Sequence, residues 1–309
     1  MRIASTAFLG VVVSLGSVFA QDGRLGVPAD KKINFQDPAT DIMENIINLH
    51  ETIFWIITAI VILVLGLMVW IVVRYNRKTN PKPSKTTHHT GLEIIWTIIP
   101  VIILTFIGYE SLKLLYKQDV IPEADMVISA TGSQWYWTYD YPEEGLSFDA
   151  NMVPSAYTLG EATGDEKEDW DNRLEELRIL LGRTEPIVTR RLLDTDTRVV
   201  VPVDTTVKVL VTASDVLHAW TIPAFGFKID AVPGRTNETW FHAREIGTFY
   251  GQCSELCGIK HAFMPIVVEV VSREDYESWV VRAKYFQDTG NFPTAPEVAD
   301  NANDPLGGQ

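Results

Sequence analysis

Cysteine is scarce: Cys253 and Cys257 are the only two in 309 residues. That excludes a disulfide-dense scaffold. It leaves one bridge as the default reading of a lone pair in an exported domain. Excess positive charge is also missing. Lys and Arg number 26 against 40 Asp and Glu, a formal net charge of −14. Nucleic acid is excluded as a partner on that balance, because phosphate binding needs clustered Lys and Arg. A basic partner is favoured, since an acidic surface steers one toward it. No C-x-x-C-H is present, so covalent haem attachment is excluded. No internal repeat is visible.

Apolar residues are concentrated in the first third of the chain. The N-terminus reads as a signal peptide over residues 1–20. Arg2 opens it, a short apolar run follows, and Val18-Phe19-Ala20 ends it like a cleavage site, leaving Gln21 as the mature start. Residues 21–118 then hold a polar segment and two long apolar runs. The polar segment is expected to end in a short helix near residues 41–50. The runs, about 53–73 and 94–112, each match the roughly 20 residues that cross a bilayer. Pro100 in the second is tolerated where neighbouring groups satisfy the freed carbonyl. Between them lie Arg74, Arg77, Lys78, Lys82 and Lys85 with no acid. The positive-inside rule places this link in the cytoplasm and both long flanks outside.

From residue 119 the pattern becomes strand-like. Residues 124–132, 134–141, 198–212, 239–251 and 263–272 are rich in β-branched and aromatic residues, the third broken at Pro202-Val203-Asp204. A small β-sandwich or barrel over residues 119–286 follows. Residues 165–183 interrupt it with helical spacing of Leu174, Leu177 and Leu181, which predicts an exposed helical insertion. Residues 287–309, rich in Pro, Asn, Asp and Gly, read as a mobile tail.

The chemistry sits in GQCSELCGIKHAFMP, residues 251–265. Cys253, Cys257, His261 and Met264 fall in one short stretch, and His218 lies upstream in SDVLHAW. Thiolate and thioether are soft ligands, and imidazole suits copper. Two His, one Cys and a weak Met make a mononuclear blue-copper site; the second Cys is surplus there. Two thiolates can instead bridge two copper ions, each taking one His and one weaker ligand. A disulfide leaves His218, His261 and Met264 without a purpose. Structural zinc has no use for Met264.

At these residues the chain resembles subunit II of the haem–copper cytochrome c oxidases. The likeness extends through GLEIIWTIIP, SQWYWTYDYP, LSFDANMVP, RVVVPV and SDVLHAWTIPAFGFKIDAVPGR. It implies a membrane-anchored all-β protein: a two-helix transmembrane hairpin followed by a cupredoxin-like Greek-key barrel. It implies a binuclear copper centre (CuA) held by His218, Cys253, the Glu255 carbonyl, Cys257, His261 and Met264. The Glu255 side chain would serve a magnesium or manganese ion at the border with subunit I. Trp135 would be the electron entry from cytochrome c, and Asp140, Asp149, Asp196 and Asp215 the docking acids. Glu93 would stand at the entrance of a proton pathway into subunit I, and His261 would face the onward electron path. The implied partners are cytochrome c, subunit I with its haems, subunit III and the lipid bilayer. The implied location is a bacterial inner membrane with the β domain in the periplasm. Two other classes compete: a stand-alone copper carrier, and a larger reductase for which this chain has no catalytic domain.

Overall fold

The computed structural model describes residues 26–291 apart from Asp30; the expected signal peptide, the start at Gln21 and most of the expected tail lie outside the described residues. Two long helices come first. Helix α1 runs Asp41–Arg74 and α2 runs Thr90–Asp119. The expected short helix at 41–50 and the first apolar run are therefore one element. The capping signal explains this: Thr40 Oγ accepts from the Met43 amide (3.1 Å), and nothing after it breaks the periodicity. At about 1.5 Å per residue, 34 residues span more than a bilayer core, so the first turns extend beyond it. The most apolar 18-residue window of each helix is uncovered by protein. Their solvent is lipid, where only a helix satisfies its own backbone.

Among the described residues ten strands follow: β1 Met126–Ser133, β2 Tyr136–Tyr141, β3 Leu146–Ala150, β4 Val199–Pro202, β5 Thr206–Ala213, β6 His218–Ile222, β7 Phe227–Ala231, β8 Asn237–His242, β9 Gly247–Gln252 and β10 Pro265–Val271. They form three sheets, ordered β3-β2-β1-β5-β8, β4-β10-β9 and β6-β7. The β1–β5 and β4–β10 pairs are parallel; the other ladders are antiparallel. Alternation in β1 and β5 buries every second residue, as a sheet with one face on the core requires. The core between sheets is aromatic, with Trp137, Tyr139, Tyr141, Trp220, Phe225, Phe241 and Phe249 fully buried.

Four sequence expectations change. The stretch 239–251 is two strands, because Arg244 leaves the ladder to pair with Asp41 (2.6 Å) and Glu44 (3.0 Å) at the start of α1. Strands β3, β6 and β7 were not expected; each is only five residues long. A boundary at residue 286 falls inside a helix, α5, Arg273–Thr289. Ser272 caps it by accepting from the Asp275 amide, and Tyr276 and Trp279 pin one face to the core. The insertion is not simply exposed. After a single turn, α3 at Ser155–Thr158, α4 at Gly164–Leu180 buries Trp170, Leu174 and Leu177 against Val153 in a small core of its own.

Backbone contacts lock the hairpin to the β domain. The Ala39 amide donates to Ala224 O (2.9 Å), Thr40 Oγ to Phe225 O (2.7 Å), and Trp240 Nε1 to Gln118 O (3.0 Å). Gly226, at φ +80°, sits where a Cβ would lie 2.9 Å from Met43 Cα. Only glycine meets both conditions.

Candidate metal centre

Strands β9 and β10 pair in a hairpin whose last rung is Gln252 opposite Pro265. The loop above that rung is residues 253–264, so its ends, Cys253 and Met264, are held at the width of a β ladder. Strand β6 begins at His218 and touches the same loop: the Ser254 amide donates to Ala219 O (3.2 Å). Two glycines permit this closeness. A Cβ on Gly251 would fall 1.8 Å from Thr221 O, and one on Gly132 would fall 3.0 Å from the His218 ring.

The donor atoms converge. Cys253 Sγ and Cys257 Sγ are 3.9 Å apart, both buried, with no disulfide between them. His218 Nδ1 lies 3.8 Å from Cys253 Sγ, and His261 Nδ1 lies 3.6 Å from Cys257 Sγ. Met264 Sδ is 3.5 Å from Cys257 Sγ, and Glu255 O is 3.4 Å from Cys253 Sγ. The ligand atoms of His218, Cys253 and Cys257 all lie within 4.8 Å of one another. Each sulfur thus has one imidazole nearby, with a thioether beside one and a carbonyl beside the other. That donor set fits a pair of soft thiophilic ions, and the thioether and carbonyl have no role at a tetrahedral zinc.

The two thiols differ. Burial works to raise the Cys253 pKa, but hydrogen bonds from His218 and from the Ala219 and Glu255 backbone bring it down to about 7. Burial, together with the charge of Cys253, pushes Cys257 up to about 12. Negative charge on one sulfur thus opposes negative charge on the other, a repulsion that a cation between them would relieve.

Around the donors stand residues that orient them. Asp215 Oδ1 accepts from His218 Nε2 (2.9 Å), which leaves Nδ1 free to face the sulfurs. Asp215 also accepts from the amides of Gln134 (2.7 Å) and Val216 (2.6 Å). Burial would raise its pKa, but these bonds outweigh burial and hold it low. Burial likewise would lower His218, and its bonds to Cys253 and Asp215 raise it instead. Trp135 lies on the loop: its Nε1 donates to Cys257 O (3.2 Å), as does Gln134 Nε2 (2.7 Å). Trp137 turns the other way into the core, donating to Met264 O (3.3 Å), with its ring edge-on to His218 at 6.0 Å. Sequence reading did not single out Gln134, Trp137 or the orienting bond of Asp215. Strand alternation alone would put both indoles of QWYW on one face; Trp135 instead lies in the turn before β2, and only Trp137, inside the strand, enters the core.

Other expected site residues lie elsewhere. Asp140 accepts from Ser147 Oγ (2.7 Å) and Asp149 from Thr138 Oγ1 (2.6 Å) across β2 and β3. Asp196 is 9% exposed and bound to Asn151 N (2.8 Å) and to Arg173 of α4 (3.2 Å). The Glu255 carboxylate pairs with Lys228 (3.2 Å). Glu93 lies in the first turn of α2, accepting from the His89 amide (3.1 Å) while His89 Nδ1 accepts from Leu92 N (3.1 Å). That reciprocal arrangement is a capping box.

Comparison with known proteins follows the same division. The family model "Cytochrome C oxidase subunit II, periplasmic domain" matches residues 126–180 and 180–271, and its transmembrane-domain counterpart matches residues 28–114. The chain belongs to the cytochrome c oxidase subunit II family. A cytochrome c oxidase subunit 2 from Cereibacter sphaeroides is 46% identical over 264 residues, 84% of this chain and 83% of that protein. A probable cytochrome c oxidase subunit 2 from Rickettsia bellii (strain RML369-C) is 43% identical over 273 residues, 88% of this chain and 90% of that protein. A crystal structure of the periplasmic domain of subunit II (CoxB) of Bradyrhizobium japonicum is 44% identical, covering 54% of this chain and 98% of that one, with a TM-score of 0.42. As a member of the subunit II family, the chain is a component of a haem–copper oxidase complex. It is a membrane-anchored protein with two apolar helices and a cupredoxin-like β domain that carries a His/Cys/Cys cluster compatible with copper.

Proposed function

We propose that this subunit takes electrons one at a time from a cytochrome c and hands them to the haem of subunit I, where oxygen is reduced to water with proton translocation. The observation that carries the reading is the pairing of two unbridged thiols, 3.9 Å apart, with one imidazole beside each. Copper bound here would supply a store for one electron at a time. His218, Cys253, Cys257, His261, Met264 and the Glu255 carbonyl would hold it. Burial of both sulfurs excludes water, and the β9–β10 hairpin fixes the donor positions, so little has to move when the charge changes.

Trp135 is the entry point in this reading. Its indole is exposed in part and is one hydrogen bond from the peptide of a ligand, Cys257. Asp140, Asp149 and Asp215 receive the basic face of cytochrome c; Asp196 is left out because α4 covers and pairs it. His261 leads toward subunit I. The Glu255 carboxylate takes magnesium or manganese at that border, exchanging Lys228 for the ion. Glu93 admits protons at the far end of α2. The β domain lies in the periplasm, above a bacterial inner membrane, beside subunits I and III. The all-basic link between α1 and α2 supports that orientation.

The test is copper stoichiometry with electron paramagnetic resonance on the detergent-solubilised chain reconstituted with copper. Two coppers per chain and one unpaired electron shared by both are expected. One copper with a single-nucleus pattern would overturn the bridged centre and return the chain to the copper-carrier class.

A further inference from the structure

Lys260 is neither a metal donor nor a partner of one. It lies on the metal loop, one residue before His261, and its side chain is exposed. Its Nζ stands 5.7 Å from the centre of the Trp135 ring, within the range of a cation over an aromatic face. The loop wraps this indole closely. Cys257 O accepts from its Nε1, and Gly258, at φ +120°, brings the backbone so near that a Cβ would lie 3.1 Å from Trp135 Cζ2. The ammonium is thus held over the ring by a loop whose shape the metal donors set.

Its charge runs against its surroundings. The chain carries −14 overall, and Asp215 lies beside Gln134 and Trp135 on the same face. An acidic face alone attracts any basic protein in many orientations. A single cation at the contact point penalises those that set a lysine on the indole, and favours those whose contact point is neutral or acidic within a basic rim. Like charges facing each other reject wrong registers in this way.

We propose that Lys260 is a specificity-determining residue for the electron donor, disfavouring donors or docking registers that place positive charge directly on Trp135. The proposal rests on the reading of Trp135 as the entry point.

The test uses the assembled oxidase with Lys260→Met, Lys260→Glu or Lys260→Arg. Stopped-flow reduction by a soluble basic c-type cytochrome, and by an acidic one, is followed across ionic strengths. Lys260→Met should raise the second-order rate constant with the basic donor about two- to threefold at low ionic strength, as one exposed charge at ~8 Å implies. Lys260→Glu should raise it further, Lys260→Arg should match the parent, and all should converge in high salt. With the acidic donor the order should invert. An unchanged copper absorption spectrum in every variant separates a charge effect from a disturbed ligand loop. Equal rates across the series, or a rise that salt does not remove, would overturn the proposal. Trp135→Phe in the same oxidase distinguishes the two readings. If it slows transfer within the bound complex while the Lys260 series is flat, the entry reading stands and the Lys260 inference falls. If it transfers at the parent rate, the entry reading falls, and this inference with it.

Discussion

At the residue scale, the centre depends on groups that are not ligands. Asp215 holds the outer nitrogen of His218 and two backbone amides at once. Asp215→Asn keeps the size of the side chain but weakens its hold on the Nε2–H tautomer. Copper affinity is expected to fall by about 10- to 100-fold, the usual loss when an orienting partner is removed, as read by competitive copper titration. The metal-free protein offers a second readout. His218 is raised from 6.5, so its contribution to stability is complete below pH 6.5 and is lost as pH rises through the higher folded value. Asp215 is lowered from 3.8, so its contribution is complete above pH 3.8 and is lost as pH falls through the lower folded value. Both act together between pH 3.8 and 6.5. The stability deficit of Asp215→Asn should therefore be largest in that window in denaturant titrations. A deficit that is flat with pH would remove the His218–Asp215 pair from the account.

At the element scale, the strands that position the clustered donors differ from the inserted helix α4. The β9–β10 pairing is braced below the loop by buried charge. Arg198 is enclosed between Asp194 (2.7 Å) and Glu269, and Arg183 reaches Glu269 from the end of the insertion (2.7 Å). Removing one member of such a set leaves a buried charge unpaired, which is why the set behaves as a unit. Helix α4, in contrast, has its own small core. Leu177, 2% exposed, is at its centre. Leu177→Ala should cost about 2–5 kcal/mol of local stability, seen as faster amide exchange across α4. Copper uptake should be unchanged, since no donor lies on that helix. Loss of copper in this variant would mean that the insertion supports the centre through Arg183.

Across the whole molecule, α2 joins two separate tasks. Its C-terminal end meets the β domain through Gln118, whose carbonyl accepts from Trp240 and whose side chain donates to Gly226 O (3.2 Å). Its first turn, about 40 Å away along the axis, carries Glu93. Glu93→Gln is informative because glutamine retains the capping-box bond to His89 and loses only the titratable proton. Copper reduction by the donor should stay normal and the later proton-coupled steps should slow, in single-turnover measurements on the complex. Full turnover would leave Glu93 as a helix cap alone. The joint between hairpin and domain can be tested separately. Gly226→Val must adopt a positive φ and place carbons against Met43, so it should destabilise the detergent-solubilised chain by about 1–3 kcal/mol and expose the α1 junction to protease.

Much of this was legible in the residues themselves. The two apolar runs announce lipid because their length and lack of charge have no other use. The spacing of Cys253, Cys257, His261 and Met264 announces a soft-metal loop, because a disulfide or a structural zinc would leave part of that set, with His218, unused. Helix α4 was readable from its leucines, though not that they would be buried. What the chain decided only on folding concerns contacts between distant segments. Asp196 and Asp215 look alike in sequence. One is covered by Arg173 from the insertion; the other stays exposed and bonds the outer nitrogen of His218. Glu93 reads as a carboxylate near a membrane, and the fold adds that it caps its own helix. Lys260 reads as a loop lysine until Trp135, 125 positions earlier, is brought beneath it. Local pattern records which residues want lipid, sheet or metal, because those preferences belong to the side chain and its near neighbours. Which acid is paired, which is free and which cation covers the indole depends on long-range packing, and that is settled only when the strands meet.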